Sequence, residues 1–257
     1  MPICKVEQHE NPKGIVILLH GLNNKPTVMA ELGKKFYQAQ YHTLLVGLNG
    51  HGCGNLPLKN ISEKDWLQDI EEAIAKAAEL KSNSQLPVYF VGFSLGALTF
   101  LTYCSILPEQ SIVDKVILLA PASFTHFDTP LLRKLAVWGR SWKVPGFTPA
   151  EFQQLRFLPI NFYQNLLTLK RTLERNQFRN TNLPTLVIMD TKDEMVSYKK
   201  LKRGLAQYHL TNWKVKEIVV TRRLNGRKWH HLIIAEKSLG KIENEKLWQS
   251  VAHFLGE

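Results

Sequence analysis

Six short strand-like runs punctuate this sequence, and helical patterns occupy much of the space between them. GIVILLHG (14–21), HTLLVGLNGHG (42–52) and PVYFVGFS (87–94) are apolar segments that close on glycine or serine. DKVILLAPA (114–122), LPTLVIMD (183–190) and WKVKEIVV (213–220) follow. A short apolar run with little alternation reads as a strand buried on both faces, the pattern of a parallel sheet. Between the runs, KPTVMAELGKKFYQA (25–39) has helical apolar spacing. SEKDWLQDIEEAIAKAAELK (62–81) is stronger. Ser62 stands at the N-cap with Asp65 three residues on, and Trp66, Ile70, Ala73, Ala77 and Leu80 recur at helical spacing. NEKLWQSVAHFL (244–255) supplies the last helix and stops at Gly256. Strands alternating with helices give an α/β fold: a mostly parallel central sheet with helices on both faces. A chain of 257 residues can bury one large core of this kind, so 1–257 is read as a single domain.

In open sheets of this type, ligands sit beyond the carboxyl ends of the strands. His20, His51, Ser94 and Asp193 fall in loops directly after expected strands, and His231 follows the final one. Reactive side chains therefore gather at one edge. Ser94 stands in GFSLG (92–96), with the helix-like ALTFLTYC behind it. Glycines two residues to either side suit a strand-to-helix turn too sharp for neighbouring side chains. A serine hydroxyl is a weak nucleophile until a base takes its proton, so a histidine and a carboxylate are sought at the same edge.

One region breaks the alternation. Residues 123–182 contain no convincing strand but several helical patterns. Leu131, Leu135, Trp138 and Trp142 lie in one stripe, with Arg133 and Arg140 roughly opposite. Thr148-Pro149-Ala150-Glu151 has the residues of a helix start, and 161–176 reads as a helix. In that helix Leu166, Leu169 and Leu173 face one way, with Lys170, Arg171 and Arg175 largely another. The segment reads as a helical lid over the reactive edge.

Net charge is +11. A basic balance fits a nucleic-acid binder, a protein that visits anionic membranes, or a solvated basic surface. No nucleic-acid-binding motif is present, which removes the first. No stretch approaches the roughly 18 apolar residues of a membrane span, and MPICKVEQHENPKG lacks the apolar core of a secretory leader. Cys4, Cys53 and Cys104 are scattered without CxxC spacing and read as reduced thiols of a cytoplasmic protein.

LLHGL (18–22), NGHG (49–52), GFSLG (92–96), PTLVIMDTKDEMV (184–196) and WHHLIIAE (229–236) together carry a resemblance. Over nearly its full length the chain resembles the α/β-hydrolases, and is most similar to the branch of monoacylglycerol lipases, lysophospholipases and small bacterial carboxylesterases. The resemblance implies a serine hydrolase acting on carboxylic esters, with Ser94 as nucleophile, Asp193 as orienting acid and His231 as base. His230 is the alternative base, and Asp190 and Glu194 are the alternative acids. Relatives often have glycine where this chain has Asp190. The implied oxyanion hole is the backbone N–H groups of Leu22 and Leu95. His20 and His51 are expected to brace their loops. No cofactor is implied, and no carboxylate or cysteine lies at metal-ligand spacing from these histidines.

Phe124, Phe127, Leu131, Leu135 and Trp138 make the insertion apolar enough to receive an acyl chain, or to pack the lid on the core. Its basic residues, Arg133, Arg140, Lys143, Arg171 and Arg175, suit peripheral contact with an anionic membrane. The expected partner is a small-molecule ester or lipid. Thioester or amide cleavage by the same triad is an alternative, as is a non-catalytic receptor or membrane-binding protein of the same fold.

Overall fold

A computed structural model of the chain describes residues 3–52, 57–81, 84–126, 142–146 and 148–256. Its strands are β1 (Ile3–Glu7), β2 (Gly14–Leu19), β3 (Tyr41–Val46), β4 (Val88–Phe93), β5 (Lys115–Leu119), β6 (Lys143–Pro145), β7 (Phe157–Pro159), β8 (Thr185–Met189) and β9 (Trp213–Glu217). The helices are α1 (Ala30–Gln38), α2 (Glu63–Lys81), α3 (Leu95–Ile106), α4 (Ile160–Arg175), α5 (Tyr198–Gln207), α6 (Glu236–Leu239) and α7 (Lys241–Leu255). The main sheet runs in the order β1-β3-β2-β4-β5-β8-β9. Every pairing in it is parallel except β1 with β3.

The central strands are buried along their whole length, as continuous apolar runs require. Helices cover both faces. A side chain at Gly33 of α1 would meet Leu18, whereas one at Gly96 of α3 would meet Leu19. Successive strand residues point to opposite faces, so α1 and α3 lie on opposite sides of the sheet. Phe36 of α1 meets Trp248 of α7 edge-to-face at 5.2 Å. Gly256 caps α7 in the left-handed region, at φ 99°.

Several expectations are corrected. β1 was not anticipated, because ICKVE is half-exposed and lies on the sheet edge. The segment 123–182 does contain strands: β6 and β7 form an antiparallel pair. Thr148-Pro149-Ala150-Glu151 starts a turn and no helix, closed by Phe152 N–H on Pro149 O (2.9 Å) and Gln153 N–H on Ala150 O (3.2 Å). The Thr148 hydroxyl has no partner there. The chain is drawn off the helical path because Phe152 O accepts from Lys25 N–H at 3.1 Å. α4 matches the expected 161–176 closely, but Lys170 is buried beside Glu174 (3.0 Å) and does not join Arg171 and Arg175 outside. At the start of α2, the Ser62 hydroxyl donates to Asp65 Oδ2 instead of capping the backbone, while Asp65 accepts the Ser62 N–H as expected, each at 2.7 Å. Cys4 is disulfide-bonded, so the reading of three reduced thiols fails for it, whereas Cys104 is a buried free thiol. Among the described residues, no helix is long and apolar enough to cross a membrane.

Candidate active site

Ser94 joins β4 to α3 at φ 50° and ψ −108°, a conformation that side chains rarely tolerate. Its neighbours explain the two glycines. A Cβ on Gly92 would lie 2.7 Å from Ala97 N, and one on Gly96 would lie 2.6 Å from His20 O. Both contacts are with backbone, so neither can give way. Ser94 N–H donates to Leu119 O at 2.9 Å, and Ser94 O accepts from Ala122 N–H at 3.1 Å, which fixes the strained turn to β5 and its exit loop. The hydroxyl is thereby held at the carboxyl edge of the sheet.

Two histidine–aspartate pairs meet this edge side by side. His231 Nδ1 lies 2.8 Å from Asp193 Oδ2, and His231 Nε2 lies 2.9 Å from Ser94 Oγ. His230 Nδ1 instead lies 2.8 Å from Asp190 Oδ2. All three members of the Ser94–His231–Asp193 chain are buried, with 7%, 7% and 3% exposure. Asp193 Oδ1 accepts from Met195 N–H (2.7 Å) and Val196 N–H (2.8 Å), so its free oxygen is aimed at the imidazole. Asp190 accepts from Lys192 N–H and Val220 N–H, each at 2.8 Å, and ties the β8 loop to the exit of β9. Glu194 Oε2 accepts His231 N–H at 3.1 Å, so the third candidate acid serves the histidine's backbone and not its ring.

The loop after β2 is held from two sides. Leu48 N–H donates to His20 Nε2 (3.1 Å), leaving Nδ1 to donate to Gly21 O (2.7 Å). Asn23 N–H donates to His51 Nε2 at 3.0 Å. Both rings act as neutral braces, as expected. Burial lowers His20 to about 4 and His51 well below its ordinary 6.5. Asp69 accepts the Asn49 backbone and side-chain N–H groups, each at 2.7 Å, and its burial pushes the carboxyl up to about 7. Leu95 is the first residue of α3, where backbone N–H groups lack intrahelical acceptors. Among the described residues, none accepts from Leu22 N–H.

Sequence reasoning missed Asn23. Its Nδ2 donates to Leu155 O (2.8 Å), its Oδ1 accepts Leu155 N–H (2.9 Å), and its carbonyl accepts Gln154 N–H (2.8 Å). A lone asparagine in a loop carries no signal for such a role. Asp69, hidden on the inner face of a regular helix, was equally silent.

Of the expected substrate-contacting residues, Phe124 is 5% exposed and stacks on Phe178 at 5.6 Å. It also abuts Gly204 of α5, where an added Cβ would meet its ring at 2.2 Å. That is core packing, the other reading given to these aromatics. Phe127, Leu131, Leu135 and Trp138 lie outside the described residues, as do Arg133 and Arg140. Among the described residues, no group of three or more His, Cys, Asp or Glu could hold a metal ion.

The family model of serine aminopeptidase S33 matches residues 10–159, more than half of the chain, including the Ser94 elbow and the loops of His20 and His51. The chain belongs to the serine aminopeptidase S33 family. Asp193 and His231 lie beyond the matched segment, so their assignment rests on the distances above. No curated protein sequence matches. Among solved structures, a metagenome-derived lipolytic enzyme aligns over 100% of this chain and 99% of its own, at TM-score 0.74 and 19% identity. A monoglyceride lipase from Saccharomyces cerevisiae aligns over 98% and 90%, at TM-score 0.78 and 13% identity. The monoacylglycerol lipase of Paleococcus ferrophilus aligns over 83% and 87%, at 0.65 and 16%. At these identities the likeness carries the fold: the α/β-hydrolase architecture extends over this whole family member, including the part beyond the matched segment.

Proposed function

We propose that this S33 hydrolase cleaves carboxylic esters through an acyl-enzyme on Ser94. The single observation that carries the reading is the unbroken chain from Ser94 Oγ to His231 (2.9 Å) to Asp193 (2.8 Å). Asp193, accepting the Nδ1 proton, leaves the Nε2 lone pair facing the hydroxyl and stabilises the imidazolium that forms. Ser94 gives its proton to His231 and attacks the ester carbonyl. The N–H groups of Leu22 and Leu95 receive the oxyanion, each contributing ~3 kcal/mol to the transition state. His231 then protonates the departing alcohol. Water repeats the sequence on the acyl-serine, giving the acid and free enzyme.

The segment 123–182 acts as a lid in this reading, and its apolar residues other than Phe124 receive the acyl chain of a medium-chain ester, a monoglyceride or a lysophospholipid. The lipolytic neighbours support that substrate class.

The test is intact-mass labelling with a fluorophosphonate, alongside p-nitrophenyl esters from acetate to palmitate. The folded protein should gain one adduct that Ser94→Ala does not, with the same variant losing on the order of 10⁵-fold in kcat. Absence of an adduct on folded protein would leave a non-catalytic member of the fold. A sharp optimum at acetate would exclude the lipase-like substrates.

A further inference from the structure

TRRLNGRK, residues 221–228, takes no part in the site above, yet it leads directly into Trp229 and the two histidines. It is built as a tight hairpin. Leu224 N–H donates to Arg227 O at 2.8 Å, and Arg227 N–H returns to Leu224 O at 3.1 Å. Asn225 (φ 51°) and Gly226 (φ 77°) make the loop between them, the two-residue turn that Asn-Gly favours. Leu224 is buried in the core at 8% exposure, while Arg222, Arg223, Arg227 and Lys228 are all exposed. The base is anchored: Thr221 N–H donates to Leu239 O at 3.2 Å, and its hydroxyl to Glu243 at 3.0 Å.

Four exposed cations thus stand on a short hairpin, where a Cβ added to Gly226 at the tip would meet nothing within 4 Å. Arg227 lies over the Trp229 ring at 4.1 Å and approaches Glu194 at 3.7 Å. Among the described residues, no carboxylate pairs with Arg222, Arg223 or Lys228.

We propose that this hairpin docks the protein on an anionic phospholipid surface, beside the catalytic edge. A single phosphate is held by donors that converge on it in a concavity. Cations set along an exposed two-residue hairpin, whose tip at Gly226 faces open space, match an extended layer of anions instead. The net charge of +11 favours approach to such a surface. Docking needs no triad, so the inference stands apart from the ester-hydrolase reading.

Sedimentation of the full chain with phosphatidylcholine vesicles, with and without phosphatidylserine, tests it. The wild type should bind only the anionic vesicles and release them when salt rises from about 0.1 to 1 M. Arg222→Ser, Arg223→Ser and Lys228→Ser combined should lower partitioning on the order of 100-fold, at roughly fivefold per charge. A control with equal net charge, Lys199→Ser, Lys214→Ser and Lys216→Ser, should stay within a few-fold of wild type. Turnover of a soluble short-chain ester should be unchanged in both, which reads the fold and the catalytic site separately from docking. Failure of the wild type to bind anionic vesicles would overturn the proposal. So would equal losses in the two variants, or binding confined to a soluble polyanion such as DNA.

Discussion

Asp190 and Asp193 each hold a histidine at 2.8 Å, yet only the histidine of Asp193 also meets Ser94. The difference is geometric, since both carboxylates are buried and both accept backbone N–H groups. Asp193→Asn is therefore expected to lower kcat ~10⁴-fold by turning the imidazole to the wrong tautomer. Asp190→Asn should cost less than ~10-fold in kcat and appear instead as a lower melting temperature, because it strips support from Val220 and Lys192. Kinetics and thermal melts on the two variants check both halves, and reversed effects would reassign the acid. The resemblance named His231 and Asp193, with His230, Asp190 and Glu194 as rivals, and the structure places His231 and Asp193 in line with Ser94. Residue types and spacing alone leave the rivals open, because adjacent histidines differ only in the direction the backbone gives each ring.

Elements meet at the loop after β2, where Asn23 binds both backbone groups of Leu155 while its own N–H is held by His51. The insertion is thereby fastened to the loop that carries Leu22. Asn23→Ala should lower kcat ~10- to 100-fold with little change in KM, since a donor displaced by about 1 Å stabilises the transition state poorly. Steady-state kinetics on a soluble ester decide it; a change confined to KM would mean that the clamp serves binding. The insertion itself was only partly legible in the sequence. Helix α4 announces itself by period, with Leu169 and Leu173 fully buried, but Lys170 is buried by neighbours that periodicity does not see. Three-residue β6 and β7 are too short to show alternation, and the turn at Pro149 exists because a distant loop captures Phe152 O.

For the whole molecule, buried ionisable groups set the acid limit of stability. Burial keeps His20 neutral in the fold down to about pH 4 and holds His51 well below its ordinary 6.5, the value below which both charge when unfolded. As pH falls below about 6 the unfolded chain therefore binds more protons through them than the fold does, and stability is lost. Asp69 has the opposite sign, being protonated in the fold up to about 7 and ionised when unfolded above 3.8, which subtracts roughly one proton. Asp69→Asn removes that opposing contribution and should make the slope steeper than that of wild type by about 1.4 kcal/mol per pH unit. Denaturant titrations from pH 4.5 to 6 measure both, and a variant with a slope equal to or below that of wild type would refute the assignment. The sequence alone determined the six parallel strands, most of the longer helices, the serine elbow and the edge where reactive groups gather, because these follow from local periodicity and from glycines that no side chain can replace. Only the tertiary structure decided which histidine faces Ser94, that Phe124 belongs to the core, and that Asn23 and Asp69 hold the loops. Those outcomes depend on contacts between segments far apart in the chain, and no local pattern encodes where a distant backbone will pass.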